Sequence, residues 1–193
     1  MEADPMLDGS PAGSGKTAPL VNLANSITFG RLCAVPLAFW LVLAHRIDDA
    51  FLLFVAAGLS DAVDGWLARR YGGNAIGALM DPVADKALLV TMYITLAVIG
   101  ALPDWLAILV VFRDLLIIGG VVVLAVLGLA VAIRPLYISK LNTVMQIMLI
   151  GVSLLQVGFG LGIPGLADLL TWCVVMTTLA SGAAYVWNTA RGQ

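Results

Sequence analysis

The chain has 193 residues, 61% of them hydrophobic and 11% charged, with a formal net charge of −2 and a mean hydropathy of +1.02. A soluble globular domain is typically only about 45–50% apolar, so this composition excludes one and points to an integral membrane protein. No nucleic-acid partner is expected of so apolar a chain without a basic excess.

Residues 1–24 contain Gly, Ser, Ala and Pro and open on Glu2, Asp4 and Asp8 ahead of any cation. A secretory signal needs a basic start and an apolar core, so this stretch reads as a flexible juxtamembrane leader ending in a short interfacial helix near Leu20. Gly15-Lys16-Thr17 resembles the end of a P-loop, but the matching first glycine is displaced to Gly9 and no strand precedes it. Six apolar segments follow, at 25–44, 50–69, 77–101, 104–131, 139–159 and 167–189. Each approaches the roughly 20 residues an α-helix needs to cross about 30 Å of hydrocarbon. The breaks at 45–49, 70–74, 102–104, 134–135 and 160–165 carry turn and helix-stop chemistry. No period-2 alternation suggests a barrel. The expected architecture is an all-α integral membrane protein with six transmembrane helices in one domain, 25–189, and a cytoplasmic tail, 190–193.

Basic residues set the orientation, because Lys and Arg accumulate in cytoplasmic loops. A cytoplasmic N-terminus puts Lys16, Arg31, Arg69, Arg70, Lys86, Arg134, Lys140 and Arg191 on the inner side, and leaves Arg46 outside with Asp48, Asp49, Asp104 and Asp168. Trp40, Trp105 and Trp172 then mark the outer interface, and Trp66 and Trp187 the inner one. His45 falls at the outer interface with no chemistry assigned to it. Cys33 and Cys173 sit at ligand spacing neither to each other nor to His45, and read as small buried side chains.

The chemistry is concentrated in Asp61-x-x-Asp64-Gly65-x-x-Ala68-Arg69, followed by Gly77-x-x-x-Asp81-x-x-x-Asp85. Four uncompensated carboxylates would cost on the order of 10 kcal/mol to place in a bilayer. On helices, Asp61 and Asp64 share one face and so do Asp81 and Asp85. Asp61 lies about 12 Å along the helix from Arg69, below the headgroups on the cytoplasmic side. All-oxygen ligation suits two hard cations, Mg²⁺ or Mn²⁺, which also engage phosphates. Gly65 and Ala68 leave room beside the ligands, and Pro82 frees a carbonyl or kinks the helix. Two other readings exist. The acids could pair structurally with Arg69, Arg70 and Lys86, or serve a cation-coupled transporter. Transporter sites, however, lie near the midplane between internal repeats, and this pattern crowds one end and does not recur in the second half.

Elsewhere, Arg113 lies about nine residues into the fourth segment, where a lone cation is costly. It either pairs with Asp114 or the acid cluster, or faces an acceptor phosphate. Lys140, Thr143 and Gln146 recur every three residues and share a helix face, able to cradle the same phosphate. For Gln146 the alternative is an interhelical hydrogen bond.

The Asp61-to-Asp85 string resembles the signature of the CDP-alcohol phosphatidyltransferases at every fixed position. The likeness extends to Asn25-x-x-Thr28-x-x-Arg31 and covers about residues 22–189. Within the family, Arg113 to Ile117, Tyr137 to Gln146, Trp172-Cys173, Thr177-Thr178 and Ala184-Tyr185 are most similar to mitochondrial-type cardiolipin synthases. Phosphatidylglycerophosphate synthases tend to show Gly-Lys-x-Lys-Thr where this chain has Ser139-Lys140-Leu141-Asn142-Thr143. A phosphate monoester carries about −1.5 to −2 near neutral pH, and a phosphodiester carries one charge, so fewer cations favour a lipid acceptor. The connection between the fourth and fifth segments is shorter than in mitochondrial members.

The resemblance implies transfer of a phosphatidyl group from CDP-diacylglycerol to phosphatidylglycerol, giving cardiolipin and CMP. Glycerol 3-phosphate is the alternative acceptor. It implies metal binding by Asp61, Asp64, Asp81 and Asp85, with Asp85 as general base. Asn25, Thr28, Asp61, Gly65, Ala68, Arg69 and Gly77 would bind CDP-diacylglycerol, although Arg69 could simply snorkel to the interface. Arg31, Arg113, Lys140 and Thr143 would bind the acceptor phosphate. A homodimer in a bacterial inner membrane, with its site facing the cytoplasm, is the expected setting.

Overall fold

Each apolar segment forms a helix, and no strand occurs among the described residues. The computed structural model describes the backbone of residues 18–71, 75–126 and 137–190, and side chains over 32–60, 86–120, 137–185 and at 187. The helices are α1 (Ala18–Leu43), α2 (Ile47–Tyr71), α3 (Ala75–Val98), α4 (Asp104–Val126), α5 (Tyr137–Phe159) and α6 (Leu166–Ala190). Of these, Tyr137–Phe159 and Leu166–Tyr185 are long and apolar enough, by length and composition, to cross a bilayer.

Several boundaries differ from the sequence expectation for identifiable reasons. Helix α1 begins at Ala18, inside the stretch expected as leader, and is continuous with the short helix expected near Leu20. Pro19 falls in its first turn, where a missing N–H is harmless. The break expected at 45–49 shrinks to 44–46, because Asp48 and Asp49 enter the first turn of α2. Carboxylates are stabilising there, at the positive end of the helix dipole, and Asp49 also pairs with Arg46. Helix α3 is continuous across Pro82 and stops at Val98 rather than 101. Gly100, at φ 75°, closes its last turn: Gly100 N–H donates to Ala97 O at 2.8 Å and Ala101 N–H to Leu96 O at 2.8 Å. This is the Schellman arrangement, in which a left-handed residue caps the last carbonyls.

The short connections 44–46, 99–103 and 160–165 make α1 and α2, α3 and α4, and α5 and α6 antiparallel pairs. Among the described residues, the packed pairs close a ring in the order α1, α2, α5, α6, α4, α3, and α3 also touches α5 across the middle. At one end lie the connections 44–46, 99–103 and 160–165. Behind them sits the apolar core, including Val42, Ala50, Met92, Leu96, Leu106, Val110, Leu149, Ile150, Leu154 and Val174. Trp40, Trp105 and Trp172 are exposed at this end, with the last two rings 6.4 Å apart. Gly158 of α5 lies against the start of α2: a Cβ there would stand 3.0 Å from Asp48 N and 3.2 Å from Ile47 C. The opposite end receives the C-terminus of α2 and the N-terminus of α3, the two helical stretches that carry the aspartates.

Candidate active site

Asp61 and Asp64 lie near the C-terminus of α2, and Asp81 and Asp85 in the first half of α3. Their side chains fall outside the described residues, as do those of Asn25, Thr28, Arg31, Gly65, Ala68, Arg69 and Gly77. Helical backbone through both stretches keeps the expected i,i+3 and i,i+4 relations within each pair of acids.

Immediately after Asp85, the side chains come into view as a buried polar cluster. Lys86 of α3 donates from Nζ to Asp114 Oδ2 at 2.8 Å, and Arg113 Nη1 donates to Asp114 Oδ1 at 2.8 Å. Arg113 Nε donates to Ser181 Oγ on α6 at 3.0 Å, and Nη2 to Ser139 Oγ on α5 at 2.8 Å. Arg113 is 6% exposed and Asp114 4% exposed, which makes the pairing obligatory: a charge withdrawn from solvent is tolerated only when paired and hydrogen-bonded. Ser181 is itself oriented by donating to Thr178 O at 3.0 Å. Two cations share one carboxylate, so the cluster keeps one formal positive charge.

One helical turn deeper on α5, fully buried Asn142 accepts at Oδ1 from the Thr178 hydroxyl of α6 at 2.9 Å, and Thr177 Oγ1, 2.8 Å from Cys173 O of its own helix, lies 2.9 Å from the same oxygen. Another turn on, Gln146 is also fully buried, and Tyr93 Oη donates to its backbone carbonyl at 3.5 Å. The Gln146 carboxamide, Asn142 Nδ2 and Ser153 Oγ have no partner among the described residues. Ser139, Asn142 and Gln146 thus carry a polar strip about 10 Å along α5.

The structure separates the residues expected to cradle an acceptor. Arg113 meets Ser139 and Ser181, and among the described residues no bond joins it to Lys140 or Thr143. Lys140 is exposed, its Nζ 5.8 Å from the centre of the Tyr137 ring, and Thr143 donates to Ser139 O in its own helix at 3.2 Å. Gln146 is buried rather than presented beside them. Pairing of Arg113 with Asp114 is realised, and among the described residues two N–H groups are left over, one on each terminal nitrogen. The Lys86–Asp114 contact links residues 28 apart in sequence and was not expected. Nor were Ser181 and Thr178 assigned a role. Apart from the family likeness at Thr177-Thr178, their sequence signal is a hydroxyl every three residues inside an apolar segment, which commonly means nothing more than back-bonding to the helix.

Comparison with known proteins fits this arrangement. The chain is 34% identical over 193 aligned residues to a chloroplastic CDP-diacylglycerol–glycerol-3-phosphate 3-phosphatidyltransferase of Oryza sativa, covering 90% of this chain and 59% of the relative. It is 32% identical over 182 residues to a cardiolipin synthase (CMP-forming)/mitochondrial hydrolase fusion protein of Schizosaccharomyces pombe, covering 86% of this chain and 31% of that protein. With a probable phosphatidylglycerophosphate synthase of Mycobacterium tuberculosis the identity is 34% over 184 residues, covering 90% of this chain and 84% of the relative. The chain therefore spans less than two thirds of the first two relatives and most of the third. The sequence model described as CDP-alcohol phosphatidyltransferase matches residues 21–180, from the first helix into the sixth, and the chain belongs to that family.

Proposed function

We propose that the chain transfers a phosphatidyl group from CDP-diacylglycerol to the hydroxyl of phosphatidylglycerol, releasing CMP and forming cardiolipin, inside a bundle whose six helices all span the membrane. The observation that carries this reading is the buried Lys86–Asp114–Arg113 cluster, one residue beyond Asp85 on α3, with a single net positive charge. That balance matches the single charge of a phosphodiester acceptor. The neutral Asn142, held between two threonines, adds no further cation on the same strip of α5.

Asp61, Asp64, Asp81 and Asp85 would hold two divalent cations, Mg²⁺ or Mn²⁺, since an all-carboxylate donor set on two adjoining helical stretches suits hard ions. When bound, such ions polarise the diphosphate and offset the charge of the departing CMP. Asp85 accepts the proton of the acceptor hydroxyl. The acceptor oxygen bonds to the lipid-side phosphorus as the bond from that phosphorus to the bridging oxygen breaks, and CMP leaves with the electron pair. Arg113 offers its two remaining N–H groups, one on each terminal nitrogen, to the acceptor phosphate. The inner membrane of a bacterium, with the aspartate end cytoplasmic, is the setting in which the basic residues satisfy the positive-inside rule.

A second reading, glycerol 3-phosphate as acceptor, is favoured by the names of the rice and mycobacterial relatives. The test is purified protein with CDP-diacylglycerol and Mg²⁺ or Mn²⁺, each alcohol supplied separately, with CMP and the product lipid identified. Cardiolipin is the expected product. Phosphatidylglycerophosphate would move the assignment to the second reading, and absence of CMP with every alcohol would remove phosphatidyl transfer and return attention to a cation-coupled transporter.

A further inference from the structure

We infer that Asp114 is a positioning residue, which aims the Arg113 fork at the acceptor anion and holds that anion site in register with the Asp85 turn of α3. The inference rests on the phosphatidyl-transfer reading for the identity of the anion, and on geometry for the rest. Asp114 uses one carboxylate oxygen on each of two cations: Oδ2 takes Lys86 Nζ and Oδ1 takes Arg113 Nη1, both at 2.8 Å. The first contact joins α3 to α4 at the residue following Asp85. The second fixes one edge of a guanidinium whose other positions are set by Ser139 of α5 and Ser181 of α6. Four helices therefore meet on one carboxylate and the arginine it holds.

A plain structural ion pair would not need this construction. Arg113 already neighbours Asp114 in sequence, and a single pair would satisfy both charges at lower desolvation cost. Bringing in Lys86 restores a positive charge to the cluster, and its side chain, 27% exposed, keeps contact with the surroundings while Arg113 and Asp114 are sealed at 6% and 4%. Among the described residues, three of the five guanidinium N–H groups are consumed in orientation, and the two left over lie one on each terminal nitrogen. Those two N–H groups are what the guanidinium can still offer an anion once its orientation is set. Without the carboxylate, two neighbouring cations would repel each other and the fork would lose one of its three fixed points.

The test uses the full-length protein in lipid nanodiscs with Asp114→Asn, Asp114→Glu and the double variant Ser139→Ala/Ser181→Ala. Steady-state constants are measured separately for the acceptor and for CDP-diacylglycerol. Binding of phosphatidylglycerol and of glycerol 3-phosphate is followed without turnover by the shift in thermal unfolding. Asp114→Asn is expected to raise the acceptor KM about ten- to hundredfold, as loss of a charged hydrogen bond predicts, while leaving the CDP-diacylglycerol KM within about twofold. Asp114→Glu, which keeps the charge, should recover most of that loss. The serine pair, which leaves all charges in place, should raise acceptor KM by about three- to tenfold, and decides the matter if Asp114→Asn does not fold. Equal rises in both KM values, an unchanged acceptor KM, or no rescue by glutamate would overturn the positioning role. Asp114-dependent binding of an anionic acceptor by a protein that releases no CMP would uphold this inference and sink the transfer reading. Failure of the wild type to bind either acceptor would sink both.

Discussion

Toward the connections 44–46, 99–103 and 160–165 the interior is Val42, Leu96, Leu106, Ile150, Leu154 and Val174 with no charge among them and only the hydroxyls of Thr95, Ser153 and Thr171, whereas toward the other end the bundle buries Arg113, Asp114, Asn142, Thr178 and Ser181. The contrast follows from the solvent. Lipid tails are as apolar as leucine, so burying Leu154 rather than leaving it against lipid gains little except tight packing. Charges behave oppositely, since each one placed among the helices costs several kcal/mol unless partnered. An apolar half needs no purpose beyond packing. A half that collects Lys86, Arg113 and Asp114 must pair them to offset that cost, and it does so one residue beyond Asp85 on α3.

Substitutions in the two halves should therefore fail in different currencies. The largest effect is expected from Asp85→Asn at the polar end. Removing the proposed general base should lower kcat by about 10²–10⁴, read as CMP release, while the variant still folds and still binds CDP-diacylglycerol. Unchanged turnover would take Asp85 out of that role. In the apolar half, Leu154→Ala should do the reverse. It leaves a cavity at a fully buried position, and because the transfer term is nearly absent in lipid the cost should sit near about 2 kcal/mol of unfolding free energy. Both KM values should stay put, and an altered acceptor KM would mean the halves are coupled.

How far this division was legible in the sequence depends on the range of the interaction. Helices and most of their stops are written locally, as apolar runs of about 20 residues and as the break at Leu102-Pro103-Asp104, whereas Gly100, inside the expected third segment, ends α3 earlier than that break implies. The ends moved where local chemistry was ambiguous, as at Asp48 and Asp49, which read equally well as loop polarity or as a helix N-terminus. At the site, Arg113 announced itself as a cation inside an apolar segment, and Asp61 to Asp85 as a spaced motif. The partners were not legible. Lys86 reaches Asp114 across 28 residues, and Ser181 reaches Arg113 across 68, and nothing in a serine or a lysine states which helix it will face. Thr95 and Thr177 show the difficulty, since their hydroxyls bond to Thr91 O and Cys173 O of their own helices, yet Thr177 also lies within bonding distance of Asn142.

A smaller effect is expected where the apolar half is tightest. Gly158→Ala places a methyl 3.0 Å from Asp48 N and 3.2 Å from Ile47 C, and backbone atoms cannot swing aside as a side chain would. Alanine gains about 1 kcal/mol of helix propensity over glycine, set against about 1–3 kcal/mol for overpacking. The net expectation is destabilisation by about 1 kcal/mol, measured by unfolding in mixed micelles, with catalysis unaffected. A stabilised variant would mean that α5 and α2 separate more readily than their contact suggests.

The smallest effect should run in the favourable direction, at a helix end built like that of α3 but with a different residue. Helix α1 closes with His45 N–H donating to Val42 O at 3.1 Å and Arg46 N–H to Leu41 O at 2.9 Å, the same pair of bonds that Gly100 and Ala101 make at the end of α3. The left-handed residue is Gly100 in one case, at φ 75°, and His45 in the other, at φ 58°. A side chain in that region costs roughly 1–2 kcal/mol relative to ordinary helical backbone, and His45 is exposed, so it recovers little by contact. His45→Gly removes the Cβ strain but frees the unfolded chain as well. The net gain should be under about 1 kcal/mol, seen as a small rise in the unfolding midpoint with both KM values unchanged. A loss of stability would show that the imidazole holds something at the membrane surface, and that the apolar end does more than pack.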